Sequence, residues 1–296
     1  MTSGSGARVD LHAHTLASDG GDRPEELVAA AAAAGVAALA VTDHDTVAGV
    51  AEARAAGERL GVEVLAGCEL TATVGDRVVH VLVYGEGLLQ PDLAAAVEVA
   101  RRGRHERNLA IGERLERLSG VGYDDAVRVA GASALSRAHF ARALVARGAV
   151  GDVAEAFDRY LSSGRPAYVP APGVSVTDAV ALAAKAGGVA VLAHPGRLAA
   201  AERDRVLAEA LEAGVDGVEV WHSQHDAKLR RSLAALADRR GLLATGGSDY
   251  HGRFKPGVRV GTGSDGNVAV PPERLTALRN RLTSSGQPRA QYAQGQ

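Results

Sequence analysis

The chain has 296 residues, enough for one large core domain and a smaller insert. Apolar residues make up 46% and aromatics only 3%, with Ala dominant, which favours helices packed closely on a sheet over a sandwich built on large aromatics. The formal net charge of -2 provides no global field toward nucleic acid or membranes, and a single cysteine, Cys68, excludes an internal disulfide.

No run approaches the roughly 18 apolar residues needed to span a bilayer. The segment 1–7 is small and polar, without an apolar stretch of signal-peptide length. The expected location is the cytoplasm, with no membrane partner. Lysine occurs only at Lys185, Lys228 and Lys255. Arginine supplies the remaining positive charge, so its placement, not its abundance, bears on anionic partners.

Residues 8–11 read as a first strand. Pro24 opens a helix through Ala34, with Glu25 and Glu26 at its positive end, and Gly35 ends it. Residues 36–41 form a second strand. Asp45 or Thr46 is expected to cap a helix that ends near Gly61. Residues 62–66 and 78–84 are the third and fourth strands. Strands alternating with helices predict parallel pairing with right-handed crossovers.

The pattern changes after Gly87. A long Arg-rich helix spans about 91–118, and shorter helical pieces follow near 123–129, 136–147 and 152–160. The Pro-rich stretch from Arg165 reads as a return linker. Alternation then resumes, with helices at 174–186, 202–213 and 226–239 and strands at 188–193, 217–220 and 242–245. This divides the chain into a first part of the main domain (1–90), a helical insert (91–165), a second part (166–284) and a polar tail (285–296) expected to be disordered. Seven or so strand–helix units suggest an α/β fold of the (β/α) barrel type, with its chemistry at the C-terminal strand ends.

Polar residues collect at those ends. His12, His14 and Asp19 follow strand one, and Asp43-His44-Asp45 follows strand two. Glu69 ends strand three, His80 lies within strand four, and His194 ends strand five. Asp249 and His251 follow the strand at 242–245. Six of the ten histidines are in this set. Unrelated loop residues would have to fall on separate strand ends by accident.

His12 and His14 lie two apart on an extended segment and face the same way. Mixed imidazole and carboxylate donors suit Mn, Fe or Zn over Ca or Mg. Leaving aside Asp43 and Asp45, the nine candidates His12, His14, Asp19, His44, Glu69, His80, His194, Asp249 and His251 are too many for one ion and fit two or three. Ions a few ångström apart can clamp a phosphate and lower the pKa of a water, so that metal-bound hydroxide attacks without a nucleophilic side chain. Cys68, beside Glu69, reads as a small buried apolar residue.

Together, His12-Ala-His14, Ser18-Asp19-Gly20, Thr42-Asp43-His44-Asp45, Gly67-Cys68-Glu69, His80, Ala193-His194-Pro195 and Gly247-Ser248-Asp249-Tyr250-His251 resemble the PHP (polymerase and histidinol phosphatase) family of phosphoesterases. The resemblance runs from about 8 to 261, interrupted by the helical insert. It implies a distorted (β/α)7 barrel holding up to three ions, with Mn expected first. His12, His14, Glu69 and Asp249 would hold one ion. Glu69 would bridge to a second, shared with His80 and His194. Asp19, His44 and His251 would hold the third, with Asp43 behind them. Metal-bound water would be the nucleophile, assisted by His194 or His251.

The insert resembles that of the nucleoside 3',5'-bisphosphate phosphatases and RNase AM-like 5'-to-3' exoribonucleases, where a small helical domain covers the barrel mouth. Arg101, Arg104, Arg107 and Asn108 share helical spacing. By resemblance Arg104, His105, Arg107 and His139 would contact a substrate phosphate, with Arg197 a further candidate. A solvated basic face is the competing reading. His222 and His225 are at most substrate contacts. The expected partner is a small phosphorylated substrate, a nucleotide or short RNA, and not duplex DNA. Histidinol phosphate or a cyclic sugar phosphate are alternatives. An amidohydrolase would want a lysine at a strand end, and a non-catalytic accessory module would have lost ligands.

Overall fold

The computed structural model describes residues 7–75, 77–170 and 173–285. The expected polar tail lies, from residue 286 onward, outside the described residues. So does most of the polar N-terminal segment.

The elements run β1 (Arg8–Ala13), α1 (Pro24–Ala33), β2 (Val36–Val41), α2 (Val50–Leu60), β3 (Glu63–Val74), β4 (Arg77–Tyr84), α3 (Pro91–Ser119), α4 (Tyr123–Ala130), α5 (Arg137–Ala146) and α6 (Val153–Ala156), which passes into a π-helical turn (Phe157–Leu161). They continue with β5 (Val174–Ser175), α7 (Val176–Lys185), β6 (Val189–Leu192), α8 (Ala200–Glu212), β7 (Gly217–Trp221), α9 (Ala227–Arg240), β8 (Leu243–Gly246), the short β9 (Val258–Arg259) and β10 (Gly263–Ser264), and α10 (Pro272–Ser285).

The main sheet has the order β1-β2-β3-β4-β6-β7-β8, with β5 beside β3. Most neighbours are parallel, as the continuous apolar run of β2 (VAALAV) suggests for a strand covered on both faces. The all-parallel expectation fails at β4, which is antiparallel to both β3 and β6. No helix separates β3 from β4. Gly75 turns the chain at φ +55°, and β3 runs eight residues further than the sequence suggested.

Asp45 does not cap α2, which starts at Val50 behind Gly49. Its carboxylate is used elsewhere, as described below. α10 is an element that sequence periodicity left unassigned. Leu275 and Leu278 on it are buried.

Alternation along the strands separates two apolar layers. Val81 and Val83 face one cluster with α7 and α8. Leu82 and Tyr84 face another, where residues from β1, β2, β3, β4, β6 and β8 meet and α10 plugs the base. Between β1 and the chain beyond β8 there is one isolated bridge, Ala13 to Tyr250. Two backbone bonds flank it: Asp249 N donates to His12 O (2.9 Å) and His14 N to Tyr250 O (3.0 Å). No strand ladder joins β1 to β8 among the described residues. Helices α3–α6 surround an apolar cluster of their own, containing Ile111, Leu115, Phe140, Leu144 and Leu161.

That junction of β1 with the chain beyond β8 depends on Gly247. A Cβ there would fall on the His12 backbone nitrogen and within 2.6 Å of Asp10 Oδ1. Gly247→Ala is expected to cost about 1–3 kcal/mol in urea unfolding and to lower metal content. Wild-type stability would show that the junction is looser than described.

Candidate metal centre

All nine predicted ligands converge at one end of the sheet. His12, on β1, and His14, just beyond its end, bring their Nε2 atoms within 3.2 Å of each other. Glu69 sits below them. Its Oε2 lies 3.2 Å from His12 Nε2, 3.1 Å from His14 Nε2 and 3.4 Å from His44 Nε2. Its Oε1 lies 2.8 Å from both His80 Nδ1 and His194 Nε2. Asp249 Oδ1 faces His14 Nε2 at 3.4 Å and His12 Nε2 at 3.6 Å. Asp19 Oδ1 faces His251 Nε2 at 3.2 Å.

Three overlapping groups have donor atoms within 4.8 Å of one another: His12, His14, Glu69 and Asp249; His14, Asp19, His44 and His251; and His44, Glu69 and His80. His194 adjoins the last group, 3.3 Å from His80. Burial alone would raise Glu69, but His44, His80 and His12 outweigh it and hold its carboxyl well below the usual range. Asp249 is lowered in the same way, by Lys255, His251 and His12 against the effect of burial.

These residues fit divalent ions by the chemistry of the donors. Two pairs of imidazoles point ring nitrogen at ring nitrogen, which protons on both would make repulsive. Asp19 Oδ1 and His44 Nδ1 are buried and make no hydrogen bond among the described residues. Divalent ions among the ring nitrogens and carboxylates would suit such a donor set.

Further carboxylates hold the donors in place. Glu219 Oε1 lies 2.9 Å from His12 Nδ1, fixing the ring so that Nε2 faces the centre, and Glu219 Oε2 accepts from His194 N (2.7 Å). Asp10 accepts from Ser248 N (2.9 Å), Ser248 Oγ (2.6 Å) and Gly261 N (2.7 Å). Asp43 accepts from Thr15 N (2.7 Å), Thr15 Oγ1 (2.7 Å) and Ser18 Oγ (2.5 Å), so it shapes the loop that carries Asp19. Asp45 accepts from Thr71 N (2.7 Å), Thr71 Oγ1 (2.8 Å) and Arg104 Nε (2.9 Å). Asp45, His194 and Asp249 all have positive φ (+52°, +26° and +56°), strain of the kind that collects at functional sites.

Of the predicted substrate contacts, Arg104, Arg107 and Arg197 line the cavity above the cluster. His105 and His139 do not reach it. His105 is exposed on α3, its Nδ1 3.5 Å from Tyr123 Oη. His139 is buried, accepts from Ser136 N at Nδ1 (3.0 Å) and meets Phe254 edge-on.

Three residues here, Arg137, Lys255 and Glu219, were not predicted as site residues, and His222 was expected as at most a substrate contact. Arg137 and Lys255 line the cavity, and Lys255 Nζ lies 2.6 Å from Asp249 Oδ2. His222 Nε2 lies 3.2 Å from the same oxygen. Glu219 could have been found as the lone carboxylate inside a buried strand, GVEVW. Lys255, in an irregular loop, carried no periodic signal. Cys68 is buried in the apolar layer on the face opposite Glu69.

A sheet with histidines and acids clustered at its strand ends, under an arginine-lined cavity, marks a hydrolase of phosphate esters. The chain belongs to the PHP family: residues 10–162 match the model of the PHP domain. It is 40% identical over 263 residues to the 3',5'-nucleoside bisphosphate phosphatase of Chromobacterium violaceum, covering 88% of this chain and 92% of that one. It is 37% identical over 247 residues to the 5'-3' exoribonuclease Rnm of Escherichia coli, covering 82% and 84%. A crystal structure described as a metal-dependent phosphoesterase from Bifidobacterium adolescentis superposes with a TM-score of 0.79 at 33% identity, covering 92% of this chain and 96% of that one.

His225 braces the loop after His194. Its Nε2 accepts from Gly196 N (3.0 Å) and its Nδ1 donates to Val220 O (2.9 Å), so the ring is neutral. Burial, then His222, push it from 6.5 down to about 4. The folded value lies below the unfolded one, so the neutral ring stabilises the fold above about pH 6.5, and this is lost as pH falls toward 4. Urea unfolding in chelator should show wild type losing up to roughly 3 kcal/mol more than His225→Gln across that window. Equal losses would count against a neutral, bracing His225.

Proposed function

We propose that this chain hydrolyses a phosphate ester of a nucleoside 3',5'-bisphosphate or of an RNA 5' end, using two or three divalent ions, manganese first. The observation that carries the substrate class is the cavity above the metal centre. Asp19, His44, His80, Asp249 and His251 form its floor, and Arg104, Arg107, Arg137, Arg197 and Lys255 line it as well. Arg104 is paired with Asp45. Burial, then Arg137 and Arg104, push Arg107 down to about 9. Burial, then Arg197, push Arg137 down to about 10. Guanidinium stays charged in proteins, so the crowding is repulsion that a bound phosphate relieves. A substrate with two phosphates can place one over the ions and the other among the arginines.

Bound ions would supply a water of lowered pKa and offset charge on the phosphoryl oxygens. His12, His14, Glu69 and Asp249 would hold one ion. Glu69, His80 and His194 would hold a second, and Asp19, His44 and His251 a third. Glu219 keeps His12 in the productive ring orientation. His194 Nε2 and His251 Nε2 already face Glu69 and Asp19, so we assign both to metal holding over proton delivery. The arginines orient the non-reacting phosphate and steady charge in the transition state.

The same reading covers architecture. We take the seven-stranded path as a distorted (β/α)7 barrel, supported by six strands meeting in one apolar cluster. Residues 91–165 are the helical insert over its mouth, supported by their own core and by the Arg104–Asp45 pair. Residues 1–90 and 166–284 are the two parts of the barrel. No described helix is long and apolar enough to cross a membrane. We place the protein in the cytoplasm, acting on nucleotides or short RNA and not on duplex DNA.

Manganese-loaded protein is expected to release phosphate from adenosine 3',5'-bisphosphate faster than from histidinol phosphate or a cyclic ribose phosphate. Inactivity on the first alone would overturn the substrate assignment. His14→Ala and Asp249→Ala should each lower kcat/KM by more than about 100-fold and reduce bound metal by elemental analysis. Turnover near wild type in either would refute the centre. Arg107→Ala, at a residue that lines this cavity and not the chamber beside it, should raise KM for the bisphosphate roughly 10- to 100-fold, with a far smaller effect on a nucleoside monophosphate. An equal effect on both would remove the second phosphate from that cavity.

A further inference from the structure

A second chamber of about 300 Å³ adjoins the arginine-lined cavity. The two share Val78, His80, Arg137, Phe157 and Arg197, so the chamber opens directly onto both the metal centre and the cationic wall. Segments far apart in sequence build its sides: Val78 on β4, Phe157 on the π-helical turn, Tyr168 on the return segment and Leu198 after β6. Phe157 and Tyr168 are each half-buried. The Arg137 guanidinium carbon lies 5.9 Å from each of the two ring centroids. The Tyr168 hydroxyl makes no hydrogen bond to the described residues. The π-helical turn is itself a rare conformation, found mostly at functional positions.

We propose that this chamber seats the nucleobase of the substrate, an assignment that rests on the nucleotide reading above. A nucleoside with one phosphate over the ions and another against the arginines must project its base sideways, and this chamber shares its wall with both places. Its chemistry suits a base recognised by its faces. Aromatic rings and a guanidinium plane offer stacking, which every base accepts. The groups that read base edges are few: among the described residues no Asn, Gln or Asp lines the chamber, Glu202 is paired with Arg77, and Ser162, Ser163 and Tyr168 supply only hydroxyls, which donate and accept alike. The chamber therefore favours nucleotides over base-free phosphates while accepting purines and pyrimidines alike.

The test compares adenosine and uridine 3',5'-bisphosphates with a base-free ribitol-type bisphosphate on the manganese-loaded full chain. Binding is measured beside turnover. Phe157→Ala and Tyr168→Ala should lower the ratio of nucleotide to base-free kcat/KM by about 5- to 100-fold, mainly through KM. Phe157→Leu guards against loss of packing, and Tyr168→Phe, which keeps the ring, should recover most of the ratio. Adenosine and uridine compounds should respond together. A ratio unchanged in both alanine variants, or wild-type protein that binds base-free and base-containing compounds equally, overturns the chamber assignment. Wild-type protein that binds nucleotides in a base-dependent way without hydrolysing them leaves the chamber standing and overturns the proposed reaction.

Discussion

The structure depends on keeping Glu69 charged where no water reaches it. The side chain is almost fully buried, and both oxygens are surrounded by imidazole nitrogens from β1, β4 and the ends of β2 and β6. An isolated carboxylate in that position would take up a proton. Here ring nitrogens converge on the acid from four strands and hold its carboxyl well below the usual range. The strands can supply it only if their ends meet, so the electrostatics of one side chain and the curvature of the sheet are the same requirement.

A set of buried acids outside the cluster keeps the strand ends together. Asp10 ties β1 to the segment after β8, Asp43 ties the loop after β1 to the end of β2, and Asp45 ties β3 to α3 through Arg104. Each is saturated by backbone N–H, hydroxyl or guanidinium donors. These acids are therefore distinct in kind from Asp19 and Asp249, which face mainly imidazoles. Neighbours in sequence can hold opposite roles for this reason. In Asp43-His44-Asp45 only the middle residue turns inward: Asp43 accepts from Thr15 and Ser18, and Asp45, left-handed at φ +52°, from Thr71 and Arg104.

Much of this was legible in the residues themselves. β2, the helix at Pro24 and all nine candidate ligands were marked by apolar runs, caps and chemically matched pairs at strand ends. What was hidden follows from long-range partners. Asp45 looked like a helix cap because its local context suits one, yet Thr71 and Arg104 claim it from 26 and 59 residues away. His105 looked like a phosphate contact beside Arg104, but adjacent helix positions diverge by about 100° and only one of them faces inward. Arg137 and Lys255 reach the cavity from a helix start and an irregular loop, where no periodicity points.

β4 shows how topology sets chemistry here. In a parallel strand the mouth of the sheet lies at the C-terminal end, where Tyr84 is found. Tyr84 instead sits deep in the inner layer, its hydroxyl on Leu11 O at 2.7 Å. Because β4 runs backwards, its early residue His80 lies opposite Thr71 and its carbonyl accepts from Ala193 N (3.0 Å). That register sets His80 beside His194 and across from Glu69. A histidine inside a strand is ordinarily a core residue. The reversal at Gly75 makes this one part of the centre, and it also presents Val78 and Val79 to the adjoining chamber. One tight turn thus joins the candidate metal centre to the space beside it.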